Sequence, residues 1–140
     1  MFGRKRTKPI DLASLDDLKP LIDEGKPILL DFFQTGCAPC RVMDGIVNEL
    51  AEEYEGGAHI VKVNVGKVPG AVEAFKIRST PTFVLLSRAQ KKASKKARKR
   101  AGDSPPKERS VSPRWRASGL VRKDQMERVL QANGGVRTAS

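Results

Sequence analysis

Cysteine and histidine are almost missing from this sequence: 140 residues contain two cysteines and one histidine. Cys37 and Cys40 are separated by two residues, so the loop they would close is too short to remove much chain entropy, and a disulfide-stapled secreted scaffold is excluded. Two thiols do not complete a four-ligand zinc site, and His59 lies far along the chain, so neither a metal nor another cofactor is expected. Long apolar runs are missing too. No stretch approaches the roughly 20 apolar residues of a membrane span. The basic start Arg4, Lys5, Arg6 and Lys8 is followed by Asp11, Asp16 and Asp17 rather than by the apolar region of a signal peptide. A soluble, cytoplasmic protein of a reducing compartment is the expectation.

What is present is enough for one domain. The aliphatic runs at 28–33, 60–65 and 83–86 supply a core. The net charge of +11 is concentrated, because residues 88–116 hold twelve Lys or Arg against Asp103 and Glu108 and the rest is close to neutral.

Ser14 with Asp17 three residues on reads as a capping box, with Leu15, Leu18, Leu21 and Ile22 on one face of a helix at about 14–24 that Gly25 stops. Ile28–Phe33 is apolar on both sides of Asp31, the pattern of a central strand covered on both faces, which buries Asp31. A helix then runs from the cysteine pair to about Tyr54, before Gly56-Gly57. Ile60–Val65 alternates as a strand, Val72–Phe75 is a short helix, Thr82–Leu86 a strand, Trp115–Leu120 its hairpin partner and Lys123–Ala132 a closing helix. Parallel strands joined through a helix, followed by an antiparallel hairpin, predict an α/β fold with a mixed central sheet sandwiched by helices. The expected divisions are a basic arm at 1–9, a domain at 10–87 and 114–133, a basic insertion at 88–113 and a tail at 134–140.

The two cysteines fall at the corner where the central strand gives way to a helix. A thiol at a helix N-terminus meets unpaired backbone N–H groups and the positive end of the helix dipole, both of which favour thiolate over thiol. Lowering a cysteine pKa from about 8.5 to about 7 raises the thiolate fraction roughly tenfold at neutral pH, for about 2 kcal/mol of stabilisation. The spacing puts Cys37 in the exposed first turn and Cys40 one turn inside. Thiol–disulfide exchange is the predicted chemistry; the alternative is a pair of small core residues or an adventitious disulfide.

The stretch Leu30-Asp31-Phe32-Phe33-Gln34-Thr35-Gly36-Cys37-Ala38-Pro39-Cys40-Arg41, the later Val61-Lys62-Val63-Asn64-Val65, the step Ser79-Thr80-Pro81-Thr82 and Gly119 together resemble the thioredoxin family, over about 10–87 and 114–132. The resemblance implies a thioredoxin fold and a protein-disulfide oxidoreductase in which Cys37 attacks a substrate disulfide and Cys40 resolves the mixed disulfide. It implies that Asp31 moves the proton of Cys40, with Lys62 beside Asp31 tuning it. It further implies a substrate-binding surface of Gly36, Ala38, Pro39, Thr80 and Pro81, with Pro81 as the family's cis proline. Protein disulfides are then the substrates, a thioredoxin reductase-like protein the electron donor, and the chain a monomer. From the residues alone, Asp31 neutralised by Lys62 for structure, and a trans Pro81 opening an edge strand, stay open. Gly36 and Phe33 stand where the family carries tryptophan, Ala38 replaces its glycine and Gly45 its helix-kinking proline.

The segment from Ser87 to Arg114 separates two strands that the family joins by a tight turn. Its Lys, Arg, Ala, Ser and Pro offer no apolar face, so a mobile excursion rooted at the far end of the sheet is expected. Three readings stand: a solvated loop without a partner, a tether through 88–112 to nucleic acid or another polyanion, making the chain a binding module, or an added segment whose removal restores an ordinary hairpin. His59 is expected on the surface, solvated. Trp115 is expected to pack on its strand neighbours, the alternative being stacking on a base.

Overall fold

The computed structural model describes residues 7–88 and 111–139. Its centre is a five-stranded sheet made of β1 (Ile10–Asp11), β2 (Ile28–Phe33), β3 (His59–Asn64), β4 (Thr82–Ser87) and β5 (Ser112–Ser118), in the order β1-β3-β2-β4-β5. β3 runs parallel to both β1 and β2, while β4 is antiparallel to β2 and to β5. The helices are α1 (Leu18–Asp23), α2 (Ala38–Glu53), α3 (Ala71–Phe75) and α4 (Lys123–Ala132).

Side-chain alternation divides the core into two layers. Leu29, Ile60, Phe83 and Leu85 face Met43, Val47 and Leu50 of α2, Tyr54, and Met126 and Leu130 of α4. On the other side Ile28, Leu30, Phe32, Val61, Val63 and Val84 meet Leu18 of α1, Ala71 of α3 and Ile77. The mixed sheet sandwiched by helices is thus observed. Each buried aliphatic or aromatic side chain contributes about 1.5–3 kcal/mol of transfer free energy, which sets the sheet against both helix pairs. Trp115 packs against the first of these layers, as expected of a strand-edge aromatic.

Differences from the sequence reading are local. The chain between Ser14 and α1 is a 3₁₀ turn at Leu15–Asp17, capped by the reciprocal Ser14–Asp17 box. β1 went unread because its two residues are exposed and carry no period; it exists through backbone pairing of Ile10 and Asp11 with Val61 and Lys62. β5 starts at Ser112 rather than Trp115 and includes Pro113, which an edge strand tolerates because one row of its N–H groups needs no partner. A register shift between Leu85 and Leu86 absorbs that irregularity, and Gly119 ends the strand at φ 83°. Beyond 133 the chain does not hang free: Val136 N–H donates to Gly57 C=O at 3.2 Å and Thr138 N–H to Glu53 C=O at 2.7 Å. The expected mobile basic excursion lies, over 89–110, outside the described residues. Its flanks meet where Ser87 pairs with Ser112, at the end of the hairpin opposite Thr82 and Ser118. Among the described residues, no helix is long and apolar enough to cross a membrane.

Candidate active site

β2 delivers the chain to the corner Gln34-Thr35-Gly36, and α2 departs from it. Gly36 sits at φ 83°, in the left-handed region where a Cβ is disfavoured, although none of the described residues lies within 4 Å of where that Cβ would be. The backbone, not crowding, is what suits glycine here. Cys37 is the N-cap of α2, with φ −85° and ψ 107°, and its Sγ accepts a hydrogen bond from the Cys40 N–H at 3.2 Å. Pro39 occupies the first turn, where its missing N–H leaves no helical bond unmade. Cys37 and Cys40 are joined as a disulfide with Cα atoms 5.2 Å apart; Cys37 is half-buried and Cys40 buried.

Thr80 and Pro81 face this corner. The Thr80–Pro81 peptide bond is cis, the Thr80 hydroxyl donates to Cys37 Sγ at 3.4 Å, and the Thr80 carbonyl oxygen lies 3.5 Å from the same sulfur. The Gly119 N–H donates to Pro81 C=O at 2.9 Å and ties the end of the hairpin to this loop. Gly36, Ala38 and Pro39 are exposed around Cys37, Thr80 is half-buried and Pro81 is buried.

Beneath the corner, Asp31 is 2% exposed, on the sheet face that α2 covers. Burial pushes its carboxyl up from 3.8 to about 7; the Lys62 cation opposes that rise and the Asp44 carboxylate adds to it. Asp31 Oδ1 is buried and has no hydrogen-bond partner among the described residues. Lys62 is the register partner of Asp31 on β3, yet its ammonium does not bond Asp31. Instead Nζ lies 2.9 Å from Asp44 Oδ1 and 4.6 Å from the centroid of the Phe33 ring.

The structure brings Cys37 and Cys40 against Thr80 and Pro81 and buries Asp31; Asp44, which holds Lys62, is not among the residues the sequence singles out. A signal existed: Asp44 follows Cys40 by four residues, so the two share a face of α2, and Lys62 stands beside Asp31. His59 differs from expectation, since its side chain is 14% exposed with Nε2 3.1 Å from Glu24 Oε2, rather than solvated. No cluster of His, Cys, Asp and Glu suited to a metal ion occurs among the described residues.

The family profile of Thioredoxin matches residues 14–104. This chain belongs to the thioredoxin family. Within it, the chain is similar to Thioredoxin 1 of Nostoc sp., 38% identical over 71 residues that make up 51% of this chain and 66% of that protein. It is likewise similar to Thioredoxin-1 of Drosophila melanogaster, 41% identical over 71 residues, again 51% of this chain and 66% of the other. The chain thus spans just under two thirds of these relatives. A mutant thioredoxin from Halobacterium salinarum superposes with a TM-score of 0.68 over 98% of this chain and 100% of its own, at 18% identity, a likeness of fold.

Proposed function

We propose that the chain reduces protein disulfides through a Cys37/Cys40 dithiol–disulfide cycle. One observation carries this reading: Cys37 Sγ sits at the N-terminus of α2 and accepts from both the Cys40 N–H and the Thr80 hydroxyl. Those donors and the helix dipole favour the thiolate, the species that attacks. The Cys37 thiolate attacks one sulfur of the substrate disulfide; a protein–substrate S–S bond forms, the substrate S–S bond breaks, and one substrate thiolate leaves. Cys40 gives its proton to Asp31 and attacks Cys37 Sγ, expelling the second substrate thiolate. The substrate has gained two electrons, and the protein dithiol has become the disulfide.

A carboxyl that titrates at about 7 suits the base role, because it is ionised often enough to accept a proton near neutrality and basic enough to hold it. Lys62 tunes Asp31 through its field rather than by a direct bond. Exposed Gly36, Ala38 and Pro39, with the Thr80–Pro81 loop, provide the surface on which an extended substrate segment rests beside Cys37. A dithiol that must be regenerated requires electrons, and a thioredoxin reductase-like donor in the cytoplasm supplies them to a monomeric chain. Contact of residues 88–112 with a polyanion is an accessory to this chemistry, supported by the charge of that segment.

The test is capture. Reduced Cys40→Ser protein mixed with a disulfide-bonded protein should accumulate an adduct through Cys37, visible on non-reducing gels and absent from the Cys37→Ser/Cys40→Ser double variant. Equal adduct in both variants, or none in either, would refute the assignment of Cys37.

A further inference from the structure

Lys62 is placed to neutralise Asp31 and does not. The two residues are paired in register on adjacent parallel strands, and both lie on the face that α2 covers. In that position an ammonium beside a buried carboxyl ordinarily forms an ion pair, because each charge compensates the other's desolvation. Here the ammonium is engaged elsewhere. Asp44 Oδ1 holds Nζ at 2.9 Å, the Phe33 ring lies under it at 4.6 Å, and Asp31 Oδ1 is left without a partner among the described residues. Lys62 is 18% exposed and Asp44 40% exposed, so the pair sits at the border of α2 and the sheet, with Asp44 on the solvent side.

We propose that Asp44 is a positioning residue: by holding the Lys62 ammonium away from Asp31, it keeps Asp31 a protonatable base for Cys40 instead of a permanently paired carboxylate. This rests on the reading of Asp31 as the acceptor of the Cys40 proton. Two effects of Asp44 act in the same direction. Its own negative charge raises the proton affinity of Asp31, and its grip on Lys62 limits how far the cation lowers it. The charged groups that bear on Asp31 are Lys62 from β3 and Asp44 from α2; its partner on β4 is the neutral Phe83. Asp11, the β1 partner of Lys62, is exposed at the edge of the sheet.

Asp44→Asn keeps the size and one acceptor while removing the charge; Asp44→Glu keeps the charge. Two readouts separate the inference from the function on which it rests. The first is the titration of the Asp31 carboxyl by carbon NMR in the oxidised protein, which needs no turnover. The second is the pH profile of the resolving step, read by stopped flow as release of the second thionitrobenzoate after the reduced protein has reacted with a bis-thionitrobenzoate disulfide. The expected result is a fall of roughly threefold or more in the proton affinity of Asp31 in Asp44→Asn, a shift of the release profile to lower pH by a similar factor, and return of both towards wild type in Asp44→Glu. An unchanged Asp31 titration in Asp44→Asn overturns the inference whatever the kinetics show, and so does an equal shift in Asn and Glu variants. A shifted titration with an unmoved release profile instead refutes Asp31 as the base for Cys40. Wild-type protein that forms the adduct but never releases the second thionitrobenzoate refutes the dithiol cycle itself.

Discussion

Replacing Asp31 by asparagine should make the oxidised protein more stable in a way that depends on pH, and the sign follows from the proton inventory. In the folded chain the carboxyl titrates at about 7, against 3.8 for an ordinary aspartate, chiefly because burial disfavours the charged form. Between those values the folded state holds a proton that the unfolded state has released. Raising the pH through the window therefore favours unfolding, by up to about 1.4 kcal/mol per pH unit, and a shift of about three units sums to about 4 kcal/mol. Below the window both states are protonated and the penalty vanishes. Asparagine has no proton to lose and fills nearly the same volume; whatever its amide costs in hydrogen bonding is independent of pH. The assay is equilibrium unfolding in guanidinium chloride of oxidised wild-type and Asp31→Asn protein at several pH values from about 4 to about 8. Contributions such as that of Glu53, whose carboxyl is held below its usual value first of all by its hydrogen bond to Lys123, occur in both proteins and cancel in the difference. The stability of the variant relative to wild type should rise by about 4 kcal/mol across that range, with the steepest change between the two pKa values. Parallel stability curves would refute the account of Asp31 as a buried carboxyl kept neutral by its surroundings.

Two further outcomes are expected. Alanine at Gly36 should destabilise by about 1 kcal/mol, since φ 83° disfavours a Cβ even in open space, whereas alanine at Gly45, in the helix interior and equally uncrowded, should stabilise by about 1 kcal/mol; thermal melts of the two variants should move in opposite directions, and a shared direction would contradict the backbone argument. Removing residues 89–110 should abolish any salt-dependent gel shift with nucleic acid at low ionic strength while leaving disulfide reduction intact, and a shift that survives the deletion would assign polyanion binding to another surface.

The elements most legible in the sequence are those whose own side chains dictate them. Ile28–Phe33 reads as a doubly covered strand because apolar residues flank Asp31 on both faces, and α2 reads from Cys37 onward because Met43, Val47 and Leu50 recur at helical spacing. β1 is the opposite case: its exposed Ile10 and Asp11 become a strand only through the edge of β3, a contact that no local pattern announces. β5 was read too late for a similar reason, since Ser112 and Pro113 owe their extended form to pairing with Ser87 and Leu86. At the site, the strand-to-helix corner singles out the cysteines and the apolar run buries Asp31, while the Thr80–Pro81 loop and the role of Asp31 come only from the resemblance. The destination of Lys62 was hidden, because two acids lay within reach of its long side chain. Only the position of α2 over the sheet shows that Asp44 has taken the ammonium and left Asp31 Oδ1 without a partner among the described residues. His59 was misjudged because Glu24, from just past the end of α1, folds back over the start of β3.

The central claim, that Cys37 is the nucleophile of a disulfide-reducing cycle, is tested most directly by turbidimetric insulin reduction with dithiothreitol as electron source. Wild-type protein should accelerate precipitation of the reduced insulin chains well beyond the dithiothreitol background, and Cys37→Ser should fall to that background. Wild type and Cys37→Ser proceeding together at the background rate would contradict the account.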